Sequence, residues 1–344
     1  MRAIALAVLV AGAGCTAWFG DRAASADLAG ADLAGADLAG ADLAAADLAT
    51  APADLLGIDL RGLVVWTKQT SGVSANLRAV WGCAAGDVYA AGAAGTILHL
   101  ENTNWSATNP SNVTFNGVAG NDCANVYVVG AGGSVFSSTG NDVWKSRNSK
   151  TGAELDGIFA NSTSETAVGA SGTTIHAAVG GTNWVLETPT TNNNLRAVWG
   201  VGNTEFAVTG NGMVLRSSDG GVTWPATSMV NATGMRAGWV SSDGQTVFVT
   251  GDGGVIAKST NGGVDFTVLT TVPPTTARLA GVWGASASDV YAVGDAGTIL
   301  HTTDGGNNWS FESAVTSLAL NAVWGSGAGD VYAVGDGGTI VHRP

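Results

Sequence analysis

Charged residues, and basic residues above all, are scarce in this sequence. They make up 12% of the 344 residues, and 14 Lys and Arg stand against 27 Asp and Glu, for a formal net charge of -13. An acidic surface does not attract a phosphate backbone, so the charge balance argues against nucleic acid as a partner. The apolar run over residues 3–11 is too short to span a bilayer. What is abundant is glycine, with 51 residues, and this composition is typical of a β-rich domain with many tight turns.

Cysteine is scarce as well, and one of the three cysteines follows an N-terminal signal pattern. Arg2, the apolar run and the small residues 12–14 form a short secretory signal that ends at Cys15. This ending resembles bacterial lipoprotein signals, in which the cysteine becomes the lipidated first residue. The resemblance, with Thr16 in the next position, implies an outer-membrane lipoprotein of the cell envelope, periplasmic or surface-exposed. Ordinary cleavage after Ala13, which leaves Cys15 as a free thiol, is the alternative.

The two remaining cysteines are candidates for a disulfide. Cys83 and Cys123 occupy matching places in adjacent repeats, between the first and second strands. Lipidation of Cys15 leaves them as an even pair in an export compartment, where disulfides persist. Two separate small core residues are the alternative interpretation.

Between the signal and the repeats lies a low-complexity segment. Residues 26–50 consist of five pentads of the form Ala-Asp-Leu-Ala-x, which resemble the signature of pentapeptide-repeat β-helices. Five pentads make little more than one coil, and repeat units need stacked neighbours to bury a core. Leucine at every fifth position gives no apolar stripe on an α-helix either. We therefore interpret residues 1–14 as the signal and residues 15–60 as a disordered linker that tethers the following domain.

From residue 61 onward the chain repeats one segment seven times, with a period near 40 residues. Such a period marks a repeat architecture. Each copy holds four stretches with strand-like alternation, in the best copies Leu-x-x-Val-Trp-Gly, Asp-Val-Tyr-Ala-Val-Gly, Gly-Thr-Ile-Leu-His and a stretch that opens with an aromatic residue. The Gly-rich segment between the second and third stretches predicts a two-residue hairpin turn. The copies start near residues 77, 115, 155, 195, 235, 279 and 320. The sequence predicts an all-β fold, a seven-bladed β-propeller over residues 61–344.

The ring of blades needs one more strand than the repeats supply. Seven first strands are matched by six fourth-strand aromatics, namely Trp105, Trp144, Trp184, Trp224, Phe266 and Trp309. The seventh is Trp66, which precedes the first complete copy. A strand from the N-terminus that completes the last blade closes a propeller and removes its open edges. We expect Trp66 to lie beside the strand that ends at His342.

Between the third and fourth strands of some copies lies an Asp-box turn. Residues 217–224 carry the full Ser-x-Asp-x-Gly-x-Thr-Trp pattern, and residues 302–309 and 259–266 carry weaker copies. The aspartate can accept hydrogen bonds from the turn backbone, while the aromatic residue packs between blades. A structural role is therefore predicted for Ser217, Asp219, Gly221, Trp224, Asp304, Gly306 and Trp309.

The combined pattern Val-Trp-Gly … Val-Tyr-Ala-Val-Gly-x-x-Gly-Thr-Ile-x-His-Thr-Thr-Asp-Gly-Gly-x-x-Trp resembles the propellers of photosystem II stability/assembly factors. It is also similar to the Asp-box (BNR) and YVTN-type propellers of secreted bacterial proteins. The resemblance implies a binding scaffold without catalysis. Nothing in the sequence points to a photosynthetic role.

Three arginines are the candidate ligand-binding residues. Arg78, Arg196 and Arg236 share the second position of a first strand, which a propeller places near the mouth of its central channel. The assembly-factor family carries an arginine patch on its propeller, and a planar guanidinium suits carboxylate or phosphate recognition. Solvated charges at strand ends are the alternative. Asp252, Asp295 and Asp336 fall in the hairpin turns, where turn chemistry alone accounts for them.

No catalytic residue, metal or cofactor is predicted. The four histidines share one repeat position in separate blades, too far apart for a common zinc ion. The four tyrosines all lie in second strands, so none is spare for the tyrosine nucleophile of a sialidase. Glycoside hydrolysis needs two carboxylates across a groove, and nothing in the sequence pairs Glu154, Glu187 or Glu312.

These observations predict a non-enzymatic scaffold, tethered to the membrane only through a lipid anchor, that binds a protein or peptide partner as a monomer. An Asp-box glycoside hydrolase of the sialidase type, or a lectin that binds a glycan, is the alternative.

Overall fold

The computed structural model describes residues 65–187, 191–269 and 275–344, without the side chain of Ala226. The predicted signal segment, Cys15 and the predicted linker lie outside the described residues. The chain divides into the units Met1–Gly62 and Leu63–Pro344, and all described residues belong to the second unit. Among them there is no helix with the length and apolar character of a membrane span.

Within the described part of the chain, the strands form seven four-stranded antiparallel sheets, which are the blades of a propeller. The inner strands of the blades are β2 (Leu77–Ala84), β6 (Phe115–Asp122), β10 (Leu155–Ala160), β14 (Leu195–Val201), β18 (Met235–Val240), β22 (Leu279–Gly284) and β26 (Leu320–Gly327). The second strands are β3 (Asp87–Gly92), β7 (Asn125–Gly130), β11 (Ser164–Gly169), β15 (Thr204–Thr209), β19 (Val247–Gly251), β23 (Val290–Gly294) and β27 (Asp330–Gly335). Blades are numbered 1 to 7 in the order of their inner strands.

The remaining strands lie toward the rim. The third strands are β4 (Ile97–Glu101), β8 (Ser134–Ser138), β12 (Thr174–Ala178), β16 (Met213–Ser217), β20 (Ile256–Ser259), β24 (Ile299–Thr302) and β28 (Ile340–Arg343). The outer strands are β5 (Asn104–Thr108), β9 (Lys145–Arg147), β13 (Val185–Leu186), β17 (Ala226–Met229), β21 (Thr267–Leu269), β25 (Ser310–Phe311) and β1 (Thr67–Gln69). Short 3-10 turns join second to third strands at Ala93–Gly95, Ala131–Gly133, Ala170–Gly172, Asp252–Gly254, Asp295–Gly297 and Asp336–Gly338.

The last blade is completed by the N-terminal strand, as the sequence predicts. Strand β1 pairs antiparallel with β28, and Thr67 lies opposite His342. Trp66 is 2% exposed, and its ring meets that of Tyr291 edge-on at 6.0 Å between centroids. Its indole N–H donates a hydrogen bond of 2.5 Å to Glu312. The seven-bladed fold with N-terminal closure is confirmed.

Neighbouring blades interlock through the Val-Trp-Gly segment of their inner strands. A β-carbon on Gly120 would lie 2.5 Å from the ring of Trp81, which comes from the preceding blade. Trp324 approaches Gly82 just as closely and joins blade 7 to blade 1. Because real β-carbons do not approach other atoms this closely, glycine is required at these two positions, where the tryptophan ring of the preceding blade packs.

Two contacts between blades depart from this pattern, one between blades 2 and 3 and one between blades 4 and 5. In blade 2 the tryptophan is replaced by Ala119. Blade 3, which packs against it, carries Ala160 at the position of the motif glycine. Blade 5 carries Val240 at the glycine position, and Trp199 of blade 4 packs instead over Gly238, where a β-carbon would lie 2.2 Å from the ring. The tryptophan and the glycine of the motif therefore act as a pair across two blades, because the tryptophan of one blade packs over the glycine of the next.

The predicted two-residue hairpin turn is wrong. Strand β3 ends at Gly92 and β4 begins at Ile97, so the connection is longer by two residues. It contains two consecutive left-handed residues, Ala94 with φ 54° and Gly95 with φ 73°. A β-carbon on Gly95 would lie 1.6 Å from the carbonyl oxygen of Ser111, so glycine is needed there for both backbone conformation and space.

The histidines of the third strands belong to the blade packing. His99 stacks on Tyr89 of the adjacent strand with 4.0 Å between ring centroids, and its Nε2 lies 3.0 Å from Asp87. Blades 6 and 7 repeat this arrangement with Tyr291, His301 and Asp289 and with Tyr332, His342 and Asp330. The second- and third-strand motifs of the repeat thus encode one partly buried Asp–His–Tyr unit per blade in these three blades.

Candidate functional site

Each inner strand contains a β-bulge at its second residue. In blade 1, for example, Leu77 pairs with Gly92 and Ala79 pairs with Ala91, so Arg78 is left out of the ladder. A bulge bends the strand and redirects the extra side chain. The seven bulge residues are Arg78, Asn116, Asp156, Arg196, Arg236, Ala280 and Asn321.

All seven bulge residues line one cavity of about 410 Å³, which we call the axial cavity. It lies where the inner strands begin, at the end of the propeller that also carries the turns between second and third strands. Its lining also includes Asn76, Arg278 and Asp336. The three predicted arginines are thus brought together, and Arg278 joins them as a fourth. The sequence signal for Arg278 is its position immediately before the first-strand leucine, which is two residues earlier in the repeat than the position of the other three.

Inner strands approach closely just past the bulge. The third residue of each inner strand is glycine or alanine. A β-carbon on Gly157 would lie 3.2 Å from the Cα atom of Ala197, and one on Gly281 would lie 3.0 Å from the Cα atom of Ala322. Small residues at this level let the strands converge on the axis, which positions the bulge residues in a tight ring.

Two of the four arginines are neutralised by aspartates of the hairpin turns. Arg236 donates to both carboxylate oxygens of Asp252, at 2.5 and 3.1 Å. Arg278 lies 2.8 Å from Asp295. The hydrogen bond and charge of Arg236 hold the pKa of Asp252 below its ordinary value. The turn aspartates therefore do more than stabilise their own turns.

The other two arginines have no carboxylate partner among the described residues. Arg78 donates a hydrogen bond of 2.8 Å to the neutral side-chain oxygen of Asn116. Arg196 makes no hydrogen bond or ion pair within the described part of the chain, and its side chain is exposed. Both guanidinium groups can therefore take up an anionic ligand.

One acid of the ring has a perturbed pKa. Burial raises the pKa of Asp156 to about 6, with repulsion from Glu154 adding to it and Arg196 and Arg78 opposing it. The axial cavity therefore becomes more negative as the pH rises through about 6.

The glutamates considered for glycoside hydrolysis each have a separate partner. Glu312 lies 2.8 Å from His301, and Glu187 lies 2.7 Å from His176. Glu154 accepts a hydrogen bond of 3.0 Å from Asn116. They do not form the pair of carboxylates that this chemistry requires.

The Asp-box residues stabilise their own turn. Asp219 accepts a hydrogen bond of 2.9 Å from the backbone of Thr223 and one of 2.7 Å from Ser217. The indole N–H of Trp224 donates to the carbonyl oxygen of Gly221 at 3.1 Å. In the weaker copy, Asp304 accepts a hydrogen bond of 2.9 Å from the backbone N–H of Asn308, and Trp309 is 2% exposed. A β-carbon on Gly306 would lie 2.9 Å from the side chain of Leu269 in the preceding blade. These contacts fit the predicted structural role.

Cys83 and Cys123 are joined in a disulfide, with Cα atoms 5.2 Å apart. Cys83 lies near the end of β2, and Cys123 directly follows β6. The bond therefore links blades 1 and 2 at the end of the propeller opposite to the axial cavity.

The segment that precedes the propeller and the propeller itself resemble different known proteins. Residues 24–62 match the family model of pentapeptide repeats with eight copies, three more than the five regular pentads of residues 26–50. No sequence among the curated proteins matches the chain.

Solved structures match the propeller. The structure of YCF48 bound to D1 peptide has a TM-score of 0.68 at 16% identity, covering 83% of this chain and 99% of that one. YCF48 from Cyanidioschyzon merolae has a TM-score of 0.68 at 16% identity, with coverage of 81% and 98%. The WD40 propeller domain of Doa1 has a TM-score of 0.66 at 12% identity, with coverage of 82% and 97%. YCF48 is a photosystem II assembly factor, so the resemblance seen in the sequence is confirmed at the level of the fold.

Proposed function

We propose that this protein is a non-enzymatic binding module whose axial cavity recognises a carboxylate-bearing segment of a protein or peptide. The observation that carries the proposal is the convergence of seven bulge residues on one cavity, in which Arg78 and Arg196 lack a carboxylate partner among the described residues. A guanidinium binds a carboxylate through two parallel N–H···O bonds, which gives both energy and orientation. Asn116 and Asn321 add amide groups that can bond to a peptide backbone.

The type of ligand follows from the charge balance of the ring. Arg236 and Arg278 are already paired with acids, so the guanidinium groups that can pair with a ligand are those of Arg78 and Arg196. One similar structure holds a bound peptide, which supports a peptide as the class of partner. The cavity of about 410 Å³ can hold a short segment but not a folded domain.

A sialidase-type activity is less well supported. No tyrosine is among the described residues that line the axial cavity. The tyrosines are instead buried within the blades, where Tyr89, Tyr291 and Tyr332 stack on histidines. The geometry therefore favours binding over hydrolysis.

We further propose that the propeller is held in the cell envelope by a lipid on Cys15, at the outer membrane. The support is the apolar run and small residues that precede Cys15 in the sequence. Metabolic labelling with a radioactive fatty acid should mark the wild-type protein and not the Cys15→Ser variant. Equal labelling of the two would exclude this anchor.

The arginine prediction is tested in two stages. Cross-linking in intact cells identifies a partner, and synthetic peptides from that partner are then titrated against purified protein. We expect Arg78→Ala and Arg196→Ala each to weaken peptide binding about 10-fold or more, because each removes a charge-assisted pair worth about 1.5–3 kcal/mol. Binding should also weaken as the pH rises through about 6, because ionised Asp156 repels the ligand.

Lys68→Ala is the matched control, because this exposed lysine lies on outer strand β1 away from the axis. It should leave the affinity unchanged. Unchanged affinity in both arginine variants would remove the axial cavity as the binding site.

A further inference from the structure

A second cleft, of about 410 Å³, lies between blades 4 and 5. It is lined by the turn from β14 to β15, the turn that precedes β19 and the Asp-box turn that follows β20. Inner strands begin at the axial cavity and these turns follow their far ends, so the cleft opens at the opposite end of the propeller. Among the described residues that line it, the one cationic side chain is that of Arg216 on β16.

Arg216 occupies the third-strand position that carries histidine in four other blades. The residues at this position in the other six blades each contact a polar partner: His99 with Asp87, Ser137 with Arg147, His176 with Glu187, Lys258 with the carbonyl of Gly305, His301 with Asp289 and His342 with Asp330. The Nε atom of Arg216 is buried and has no hydrogen-bond partner among the described residues. A buried donor left without a partner costs about 1–3 kcal/mol, so the protein retains a destabilising feature here.

The missing partners have a simple origin in the sequence. The aspartate that opens the second strand of blades 1, 6 and 7 is replaced by Thr204 in blade 4. The outer-strand glutamate of blades 3 and 6, which lies two residues beyond the partner of the histidine, is replaced by Ser228 in the register of blade 4. Blade 4 therefore keeps the cation and lacks both acids that would neutralise it. The guanidinium group of Arg216 therefore lines the cleft without an acidic partner among the described residues.

We infer that this cleft is a binding site for an acidic sugar, a uronic acid type of ligand, with its carboxylate on Arg216. The side chains of Thr204, Ser242, Gln245 and Asn261 line the cleft and offer hydroxyl and amide groups that can bond to sugar hydroxyls. A few convergent polar groups in a concave cleft are what a small-molecule site requires.

The carboxylate of Asp243 distinguishes a sugar acid from an acidic peptide. Asp243 also lines the cleft, and hydrogen bonds from Ser241 and the backbone of Gln245 hold its pKa below the ordinary value. It is therefore ionised at neutral pH, where it accepts hydrogen bonds from sugar hydroxyls and repels a second acidic group. One cation beside one anion suits a ligand that carries a single carboxylate and several hydroxyls.

The test uses glucuronate as the probe and glucose as its uncharged counterpart, titrated into the full chain and followed by NMR. Glucuronate should bind, glucose should bind at least 10-fold more weakly, and Arg216→Gln should reduce glucuronate affinity at least 10-fold. Gln245→Ala changes an exposed side chain and should also weaken binding, which keeps the test decisive if Arg216→Gln fails to fold. Lys68→Gln is the matched control, since it removes an exposed cation on outer strand β1 of blade 7, away from this cleft, and should leave glucuronate binding unchanged.

Three results would overturn the inference. The first is failure of the wild-type chain to bind glucuronate, and the second is equal glucuronate affinity of the wild type, Arg216→Gln and Gln245→Ala. The third is binding of N-acetyl-aspartate amide in place of glucuronate with the same dependence on Arg216, which would assign the cleft to an acidic peptide. None of these results bears on the axial cavity, whose test rests on Arg78 and Arg196.

Discussion

Replacing Trp66 by alanine is expected to lower the free energy of unfolding by about 3–5 kcal/mol, the range for truncating a buried aromatic residue. Trp66 is 2% exposed and packs in the cluster that holds Tyr291, Val323 and Val341. Its loss would also leave Glu312 without the indole donor. Because β1 pairs with β28 over only three residues, the buried packing of Trp66 is a large addition to that short pairing.

Urea denaturation followed by circular dichroism measures this effect. Val65→Ala is the matched control, since Val65 is adjacent in sequence but 53% exposed, and its expected change is within about 0.5 kcal/mol. A loss below 1 kcal/mol for Trp66→Ala would mean that the N-terminal strand does not close the ring.

Replacing Glu205 by valine is expected to stabilise the propeller at alkaline pH. Glu165 and Glu205 are 0% exposed and occupy a second-strand position that is valine in the other five blades. Burial raises the pKa of Glu205 to about 7 from 4.5, with the neighbouring Thr166 hydroxyl opposing the shift. The stability that this group contributes is fully present below pH 4.5 and is lost as the pH rises through about 7, because the folded state must then bury a charge.

The expected gain for Glu205→Val is therefore pH-dependent. A pKa shift of this size corresponds to about 3 kcal/mol once the group is ionised. Relative to wild type, the variant should gain stability between pH 5 and pH 9 by up to about 3 kcal/mol, on top of any constant change from the new side chain. Glu101→Gln, at an exposed site on β4, should show no such gain. Parallel stability–pH curves for wild type and Glu205→Val would contradict the assignment.

The fold could be predicted because each of the seven repeats carries the same pattern of four strands. Seven copies of one pattern define the blades, and the count of outer-strand aromatics identifies Trp66 as the missing member. The matched substitutions Ala119 with Ala160 were also present in the sequence. Their meaning required knowing that one side chain of the pair comes from the preceding blade.

The sites were less predictable because they depend on β-bulges and on contacts between strands. The alternation of apolar and polar residues that identifies a strand does not show either. A bulge shifts the register by one residue, and nothing in Leu77-Arg78-Ala79 signals that Arg78 leaves the ladder. Arg278 was missed because it precedes its strand. Arg216 lacks an acidic partner because the matching positions on two other strands of its blade carry Thr204 and Ser228 in place of acids.

The most direct test of the axial binding site is site-specific photo-cross-linking in cells. A photoreactive residue at Ala280, the smallest bulge residue, would lie in the axial cavity without removing an arginine. One at Thr267, exposed on outer strand β21, is the reference. The account predicts a defined cross-linked peptide from position 280 that disappears when Arg78 and Arg196 are both alanine. Cross-links to the same partner from position 267 but not from position 280 would contradict it.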